Sequence, residues 1–140
     1  MMKLLKDWLW NNMYYLDLKD VLLIHNEILK KYWWLAWVKD EQQIWSVLQH
    51  IQNDEYYKWI IEKSCHLFFW IIKFHCFNDW NKRTSIWSIS IFWEINNINI
   101  PDLFVKLEDI AIWVAKWEIT KEELRIIFKS IFISFSIEVK

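Results

Sequence analysis

The chain has 140 residues, with 17 basic residues, 18 acidic residues and a formal net charge of −1 at pH 7. This balance gives no general electrostatic reason to expect binding to nucleic acid or to an anionic membrane. No apolar run approaches the roughly 20 residues of a membrane span, and the first residues lack the pattern of a signal peptide. We therefore expect one cytoplasmic domain with its own core. Cys65 and Cys76 are too few for a disulfide framework or a zinc site.

Hydrophobic periodicity predicts an all-α bundle of about six helices. Asp17 is placed to cap a first helix that runs to about Tyr32, and Asp40 to cap a second that runs to about Gln52. His25 lies on the apolar stripe of the first helix, so we interpret it as a core histidine. The inward positions of these two helices are Val21, Leu22, Ile24, Ile28 and Leu29, followed by Ile44, Val47, Leu48 and Ile51.

The third predicted helix is the most apolar part of the chain. Asn53 and Asp54 break the preceding pattern, and the helix is predicted from Glu55 to about Phe74. Because its residues 67–72 are apolar nearly all round, it should form the buried centre of the domain. His66 and Cys65, which lie within it, are interpreted as core residues rather than metal ligands.

Ten residues that follow this helix carry most of the polar chemistry: His75-Cys76-Phe77-Asn78-Asp79-Trp80-Asn81-Lys82-Arg83-Thr84. They separate two apolar segments, which predicts a loop and then the first turn of another helix at residues 81–84. A helix start offers free N–H groups and a positive dipole end, and two adjacent cations would add binding for more than one phosphate group. His75 is a possible general base, and Asp79 is a hard oxygen ligand suited to Mg²⁺. The segment therefore predicts a phosphate-handling site.

Three more helices are predicted after this loop. One runs from Asn81 to about Asn96, one from Leu103 to Ala115 after an Asp102 cap, and one from Lys121 to about Ile131 after a capping box that begins at Thr120. Alternating polarity at residues 133–139 predicts a short strand or a frayed tail. The inward positions are Ile86, Ile89, Ser90 and Trp93, then Val105, Leu107, Ile110 and Val114, then Leu124, Ile127 and Phe128.

The pattern His-x-Phe-x-Asp-x-Asn-Lys-Arg-Thr at 75–84 resembles the signature of the Fic/Doc family, on its Doc (death-on-curing toxin) branch. The resemblance covers about residues 16–130. It implies a compact helical fold and the transfer of part of a nucleotide to a hydroxyl group of a target protein. Lys82 stands where Fic-type adenylyltransferases have a second glycine. In this respect the chain is similar to Doc proteins, which transfer the terminal phosphate of ATP.

The resemblance also implies a role for each residue of the motif. His75 would be the catalytic base and Asp79 the Mg²⁺ ligand, Phe77 would anchor the loop, and the phosphates of ATP would bind at Asn81, Lys82, Arg83 and Thr84. A Doc-like toxin implies elongation factor Tu as its target and a small antitoxin protein as its partner. Three alternatives stay open: transfer of AMP, a catalytically silent binding module, and polar residues that only cap two helices.

The composition holds one anomaly, which is 13 tryptophans and no glycine. An average chain of this length has roughly ten glycines. Several tryptophans stand where glycine is expected, such as Trp117 between two helices, and in Fic/Doc proteins positions 33, 34 and 80 resemble glycine sites. We hypothesise that a glycine codon has been read as tryptophan, as happens when a reassigned stop codon is decoded with the wrong table. The alternative is a genuinely tryptophan-rich protein, in which Trp80 would crowd the phosphate loop.

Overall fold

The protein is described by a computed structural model that covers residues 13–31, 41–73 and 81–137. These ranges contain six helices and no strand, which confirms the predicted all-α class. The helices are α1 (Leu18–Lys31), α2 (Glu41–His50), α3 (Ile60–Lys73), α4 (Asn81–Ile95), α5 (Leu103–Ala115) and α6 (Lys121–Ser134). That the chain forms one domain stays a prediction.

Two predicted helix starts are confirmed by reciprocal hydrogen bonds. The Asp20 amide donates to Asp17 Oδ1 and the Asp17 amide donates to Asp20 Oδ2, both at 2.9 Å. At α6 the Glu123 amide donates to Thr120 Oγ1 and the Thr120 amide donates to Glu123 Oε1, both at 3.1 Å. Each box satisfies two backbone N–H groups that the helix itself leaves unpaired.

The other two predicted caps differ from these boxes. Asp102 precedes α5 as expected, but its side chain makes no capping hydrogen bond and its φ of 55° lies in the left-handed region. An aspartate tolerates this conformation better than most residues do. Asp102 therefore contributes to the turn through its backbone conformation, without a side-chain cap. Asp40, the predicted cap of α2, lies outside the described residues.

The predicted start of α3 was too early. The helix begins at Ile60 instead of Glu55, because Asn53 holds the following residues in a turn. Its side-chain Oδ1 accepts a hydrogen bond from the Glu55 amide at 3.0 Å, and its carbonyl accepts one from the Tyr57 amide at 2.9 Å. A short polar side chain thus competes with the helix for backbone donors. At the other side of this turn α2 ends at His50, two residues before the predicted end.

Two further predictions were wrong. The expected strand at 133–139 is not formed in its described part, 133–137, because α6 continues to Ser134 and ends in a turn whose Ile137 amide donates to the Phe132 carbonyl at 2.9 Å. Val105, predicted to face inward, is 69 % exposed. Its neighbours Leu103 and Leu107 fill the core at that point instead.

The predicted central role of α3 is confirmed. Eleven of its fourteen residues are buried, and it packs against α2, α4, α5 and α6. The predicted core histidine, His25, is fully buried in α1, and His66 and Cys65 are buried in α3. Among the described inward predictions, those that are buried are Val21, Ile28, Ile44, Val47, Leu48, Ile51, Ile86, Ile89, Trp93, Leu107, Ile110, Val114, Leu124 and Phe128.

The described tryptophans occupy contrasting environments. Trp93 is fully buried in α4, where its indole N–H donates to Ser64 Oγ at 2.6 Å and its ring lies 4.9 Å from that of Phe132, centroid to centroid. Trp117 is 72 % exposed and has a φ of 61°, a left-handed conformation that glycine adopts without strain. Its environment agrees with the glycine hypothesis, whereas that of Trp93 requires a large side chain. Trp33, Trp34 and Trp80 lie outside the described residues.

A buried lysine ties α3 to the turn before it. Lys63 is 1 % exposed, and its ammonium group donates to the Ile51 carbonyl and to Asp54 Oδ1, the latter at 2.8 Å. The Asp54 side chain is 74 % exposed, so the ion pair runs from the core to the surface. The ammonium also lies 5.3 Å from the ring centroid of Tyr15. These contacts hold the end of the α2 segment against α3.

Replacement of Lys63 by methionine should lower the free energy of unfolding by about 2 kcal/mol. The apolar stem is kept, but the Ile51 carbonyl loses its donor in a buried position, which is the costly part of the change. Urea unfolding followed by circular dichroism measures it. Lys58→Met, at an exposed position before the same helix, serves as the control and should change stability by less than about 0.5 kcal/mol. Equal effects of the two substitutions would contradict the structural role of Lys63.

Candidate active site

The first turn of α4 carries the described part of the predicted phosphate site. As predicted, the helix begins at Asn81, and its first turn includes Lys82, Arg83 and Thr84. Lys82 is exposed, while Asn81 and Arg83 are partly buried. His75, Phe77 and Asp79 lie outside the described residues, so their roles as base, anchor and metal ligand stay predictions.

This turn has the electrostatics of an anion site. Its side chains include Lys82 and Arg83, and no acidic residue lies in it. The first N–H groups of a helix have no partner within the helix, and the dipole adds a partial positive charge at the same end. Ser85 Oγ donates to the Lys82 carbonyl at 2.7 Å, which fixes the backbone of the turn from inside. The arrangement can bind a phosphate group through backbone and side chains together.

Thr84, also predicted to bind phosphate, faces the interior. It is fully buried, and no described residue forms a hydrogen bond with its hydroxyl group. A nucleotide that approaches from solvent would meet Lys82 and Arg83 first. The assignment of Thr84 to ATP binding therefore stays a prediction, with less support than that of its two cationic neighbours.

A cavity of about 450 Å³ lies beside this turn, between α1, α4 and α5. The Arg83 side chain lines it, with the guanidinium carbon 6.0 Å from the ring centroid of Phe104. Its other lining residues are Leu23, Ile24, Glu27, Ile28, Trp87 and Ile91. Sequence reasoning missed this cavity, because it depends on how α1 and α5 meet α4. A ligand in this cavity would contact Arg83, which is one of the two cationic residues of the turn.

The first turn of α4 lies within a segment of the chain that matches a known protein family. The sequence model of the Fic/DOC family matches residues 15–93, which is more than half of the chain and includes the whole segment 75–84. The chain belongs to the Fic/DOC family. Fic/DOC proteins transfer nucleotide-derived groups to protein targets and use nucleoside triphosphates, typically with Mg²⁺. A search of curated proteins found no significant match.

The match confirms the predicted resemblance to the Fic/DOC family. It does not distinguish the Doc branch from the other members of that family. Within the described ranges, no group of three or more His, Cys, Asp or Glu side chains could hold a metal ion. Mg²⁺ in nucleotide enzymes is commonly held by one or two carboxylates together with the substrate's phosphates. The predicted ligand Asp79 would supply one such carboxylate beside the first turn of α4.

None of the described helices is long and apolar enough to cross a membrane.

A second set of titratable residues surrounds His66 in α3. The ring centroid of His66 lies 4.3 Å from that of Tyr57 and 5.8 Å from that of His50, and Lys121 Nζ lies 2.9 Å from its Nδ1. Burial, together with the nearby Lys121 and His50, lowers the pKa of His66 from 6.5 to about 3. The imidazole is therefore neutral at physiological pH. Since an ammonium group has no acceptor, Lys121 donates this hydrogen bond.

The neutral His66 should make the protein less stable as the pH falls. Between pH 6.5 and about 3 the unfolded chain binds a proton at this imidazole and the folded protein does not. The stabilisation is thus complete above pH 6.5 and is lost on acidification, at up to about 1.4 kcal/mol per pH unit. Urea unfolding at pH 7.5, 6.0 and 5.0 measures the slope. His66→Phe should flatten it and the exposed His50→Gln should not; an unchanged slope in His66→Phe would contradict this assignment.

Proposed function

We propose that the protein is an ATP-dependent protein phosphotransferase of the Doc type, which transfers the terminal phosphate of ATP to a Ser or Thr hydroxyl group. The first turn of α4 carries the proposal: Lys82 and Arg83 stand at a helix start without any acidic residue, inside the range that matches the Fic/DOC family. Phosphoryl transfer depends mainly on positioning and on neutralisation of charge. A helix start with two cations supplies both.

In this proposal each residue of the motif has one task. Asn81, Lys82 and Arg83 bind the ATP phosphates, and His75 takes the proton from the target hydroxyl as its oxygen attacks the terminal phosphate. The bond from that phosphorus to the bridging oxygen breaks, and ADP leaves. Asp79 would hold Mg²⁺, which when bound neutralises phosphate charge. Phe77 anchors the loop in the core. His75→Ala should abolish toxicity in a bacterial host if the base assignment is right, and unchanged toxicity would refute it.

The alternative activity is transfer of AMP, as in Fic-type adenylyltransferases. Lys82 favours phosphate transfer, since it fills space that a glycine would leave for the other phosphates. The mass added to a modified target separates the two activities: a phosphate group under our proposal, an AMP group under the alternative. A catalytically silent binding module would leave every target unmodified.

Target and partner follow from the Doc resemblance. We propose elongation factor Tu as the substrate, so that modification stops translation in the cytoplasm, and a small antitoxin protein as the inhibitor. An inhibitor bound in the mainly apolar cavity beside Arg83 would cover the first turn of α4, where we propose that the ATP phosphates bind. Leu23, which lines the cavity and is 60 % exposed, provides the test. Leu23→Asp should stay toxic when it is co-expressed with the proposed antitoxin, whereas the unsubstituted protein should be silenced.

A further inference from the structure

The cavity between α1, α4 and α5 has the size and the lining of a small-molecule site. Its volume of about 450 Å³ lies within the range of such sites, and most of its lining residues are apolar. Two charged residues of opposite sign also line it, Glu27 of α1 and Arg83 of α4. Apolar walls bind a ligand by burying its surface, and a few polar groups fix its orientation.

Arg83 connects this cavity to the first turn of α4. The lining residues on this helix are Arg83, Trp87 and Ile91, which recur at intervals of four and therefore lie on one face. Eight residues of helix span about 12 Å, a distance comparable to the length of a nucleoside. Because the triphosphate of ATP is covalently attached to its nucleoside, phosphates bound at this turn bring the nucleoside to the cavity.

The two charges favour one orientation of the nucleotide. Arg83 attracts phosphate groups, whereas the Glu27 carboxylate repels them and accepts hydrogen bonds from hydroxyl groups. The Glu27 side chain is 60 % exposed, and its Oε1 accepts a hydrogen bond from Lys30 Nζ at 3.2 Å. A carboxylate has about four acceptor positions, so this exposed ion pair leaves acceptor capacity for a ligand.

Phe104 of α5 adds an aromatic surface close to the phosphate turn. Its side chain is partly buried, and its ring centroid lies 6.0 Å from the guanidinium carbon of Arg83. Nucleobases stack on aromatic side chains largely independently of which base they are. A base that packs against Phe104 would thus belong to a nucleotide whose phosphates reach Arg83.

We propose that the nucleoside of ATP binds in this cavity, with its base against Phe104 and its ribose hydroxyl groups donating to Glu27. The proposal rests on the proposed function, because it takes the phosphates to bind at the first turn of α4. It adds a preference for ribonucleotides, since a sugar without hydroxyl groups loses the contact with Glu27. An antitoxin in the same cavity would compete with ATP.

The test measures the dissociation constants of ATP, 2′,3′-dideoxy-ATP and inorganic triphosphate for the full chain by calorimetry, with Mg²⁺ present. ATP should bind at least about tenfold more tightly than triphosphate, because only ATP gains contacts in the cavity. Triphosphate carries the larger charge, so the phosphate turn alone would give the opposite order. ATP should also bind about tenfold more tightly than dideoxy-ATP, which cannot donate to the carboxylate.

Three variants assign these preferences to side chains. Glu27→Ala should reduce the affinity for ATP to that for dideoxy-ATP, and it should not weaken the binding of triphosphate. Lys30→Ala removes the same exposed ion pair but keeps the carboxylate, so this control should keep the preference for ATP. Phe104→Leu keeps an apolar side chain without the ring; it should weaken ATP and dideoxy-ATP by the same factor and leave triphosphate unchanged.

Equal affinities for ATP and triphosphate in the wild-type chain would overturn the proposal and leave the phosphate turn in place. An unchanged preference for ATP over dideoxy-ATP in Glu27→Ala would overturn the role of Glu27, and an unchanged affinity for ATP in Phe104→Leu would overturn the position of the base. If neither ATP nor triphosphate binds, the proposed function itself fails. Binding of triphosphate by each variant shows that the phosphate turn is still folded.

Discussion

Replacement of Arg83 by glutamine should lower the rate of phosphate transfer to target protein by about 100-fold or more. The guanidinium group can bind two phosphate oxygens at once, and removal of one such donor from a site of developing negative charge costs this much in other enzymes. The side chain lines the cavity beside the first turn of α4 and is partly buried, so water cannot fully replace it. The measurement is the initial rate of label transfer from γ-labelled ATP.

The same substitution at Arg125 provides the control. Arg125 lies in α6, where its Nε donates to Glu62 Oε1 at 3.0 Å across the α3–α6 contact. The pair is partly exposed, so its loss should change stability by about 1 kcal/mol or less and leave the transfer rate within about twofold. If Arg83→Gln and Arg125→Gln have equal rates, the phosphate role of Arg83 is wrong.

Trp93→Gly should lower the free energy of unfolding by about 5 kcal/mol. The substitution empties a fully buried site, leaves Ser64 without the indole donor and adds the cost of glycine inside a helix. Trp117→Gly should change stability by no more than about 1 kcal/mol, because the release of left-handed strain offsets the lost contacts. Among those contacts is Lys73, whose Nζ lies 3.1 Å from the ring centroid of Trp117.

The two tryptophans together test the glycine hypothesis at the level of the gene. An ordinary tryptophan codon is expected at position 93, where the core requires the ring. A reassigned codon is expected at position 117, where the backbone conformation suits glycine. Equal losses of stability in Trp93→Gly and Trp117→Gly would show that Trp117 is as integral to the fold as Trp93, and the hypothesis would then lose its structural support.

The helices were predictable because local rules decided them. Capping boxes at Asp17 and Thr120 mark two starts, and the apolar circumference of α3 marks the centre of the fold. The errors arose where tertiary contacts or turns competed with periodicity. The turn at Asn53 moves the start of α3 to a later residue than predicted. Helix α6 extends to Ser134 despite the alternating polarity that begins at residue 133. Periodicity over a few residues cannot distinguish these outcomes.

The site was predictable in part. The motif at 75–84 placed Lys82 and Arg83 at a helix start from sequence alone, and the family match covers that segment. The burial of Thr84, the cavity beside Arg83 and the contact between Lys121 and His66 depend on helix packing. Lys121 and His66 are 55 residues apart, so no local pattern could have joined them.

The most direct test of the proposed function uses purified protein, a bacterial extract and ATP labelled either at the γ-phosphate or at the α-phosphate, with and without Mg²⁺. We expect label to reach a protein target from γ-labelled ATP only, to depend on Mg²⁺, and to vanish in His75→Ala. Transfer from α-labelled ATP would show an adenylyltransferase instead. Transfer that persists in His75→Ala, or no transfer from either nucleotide, would contradict the account.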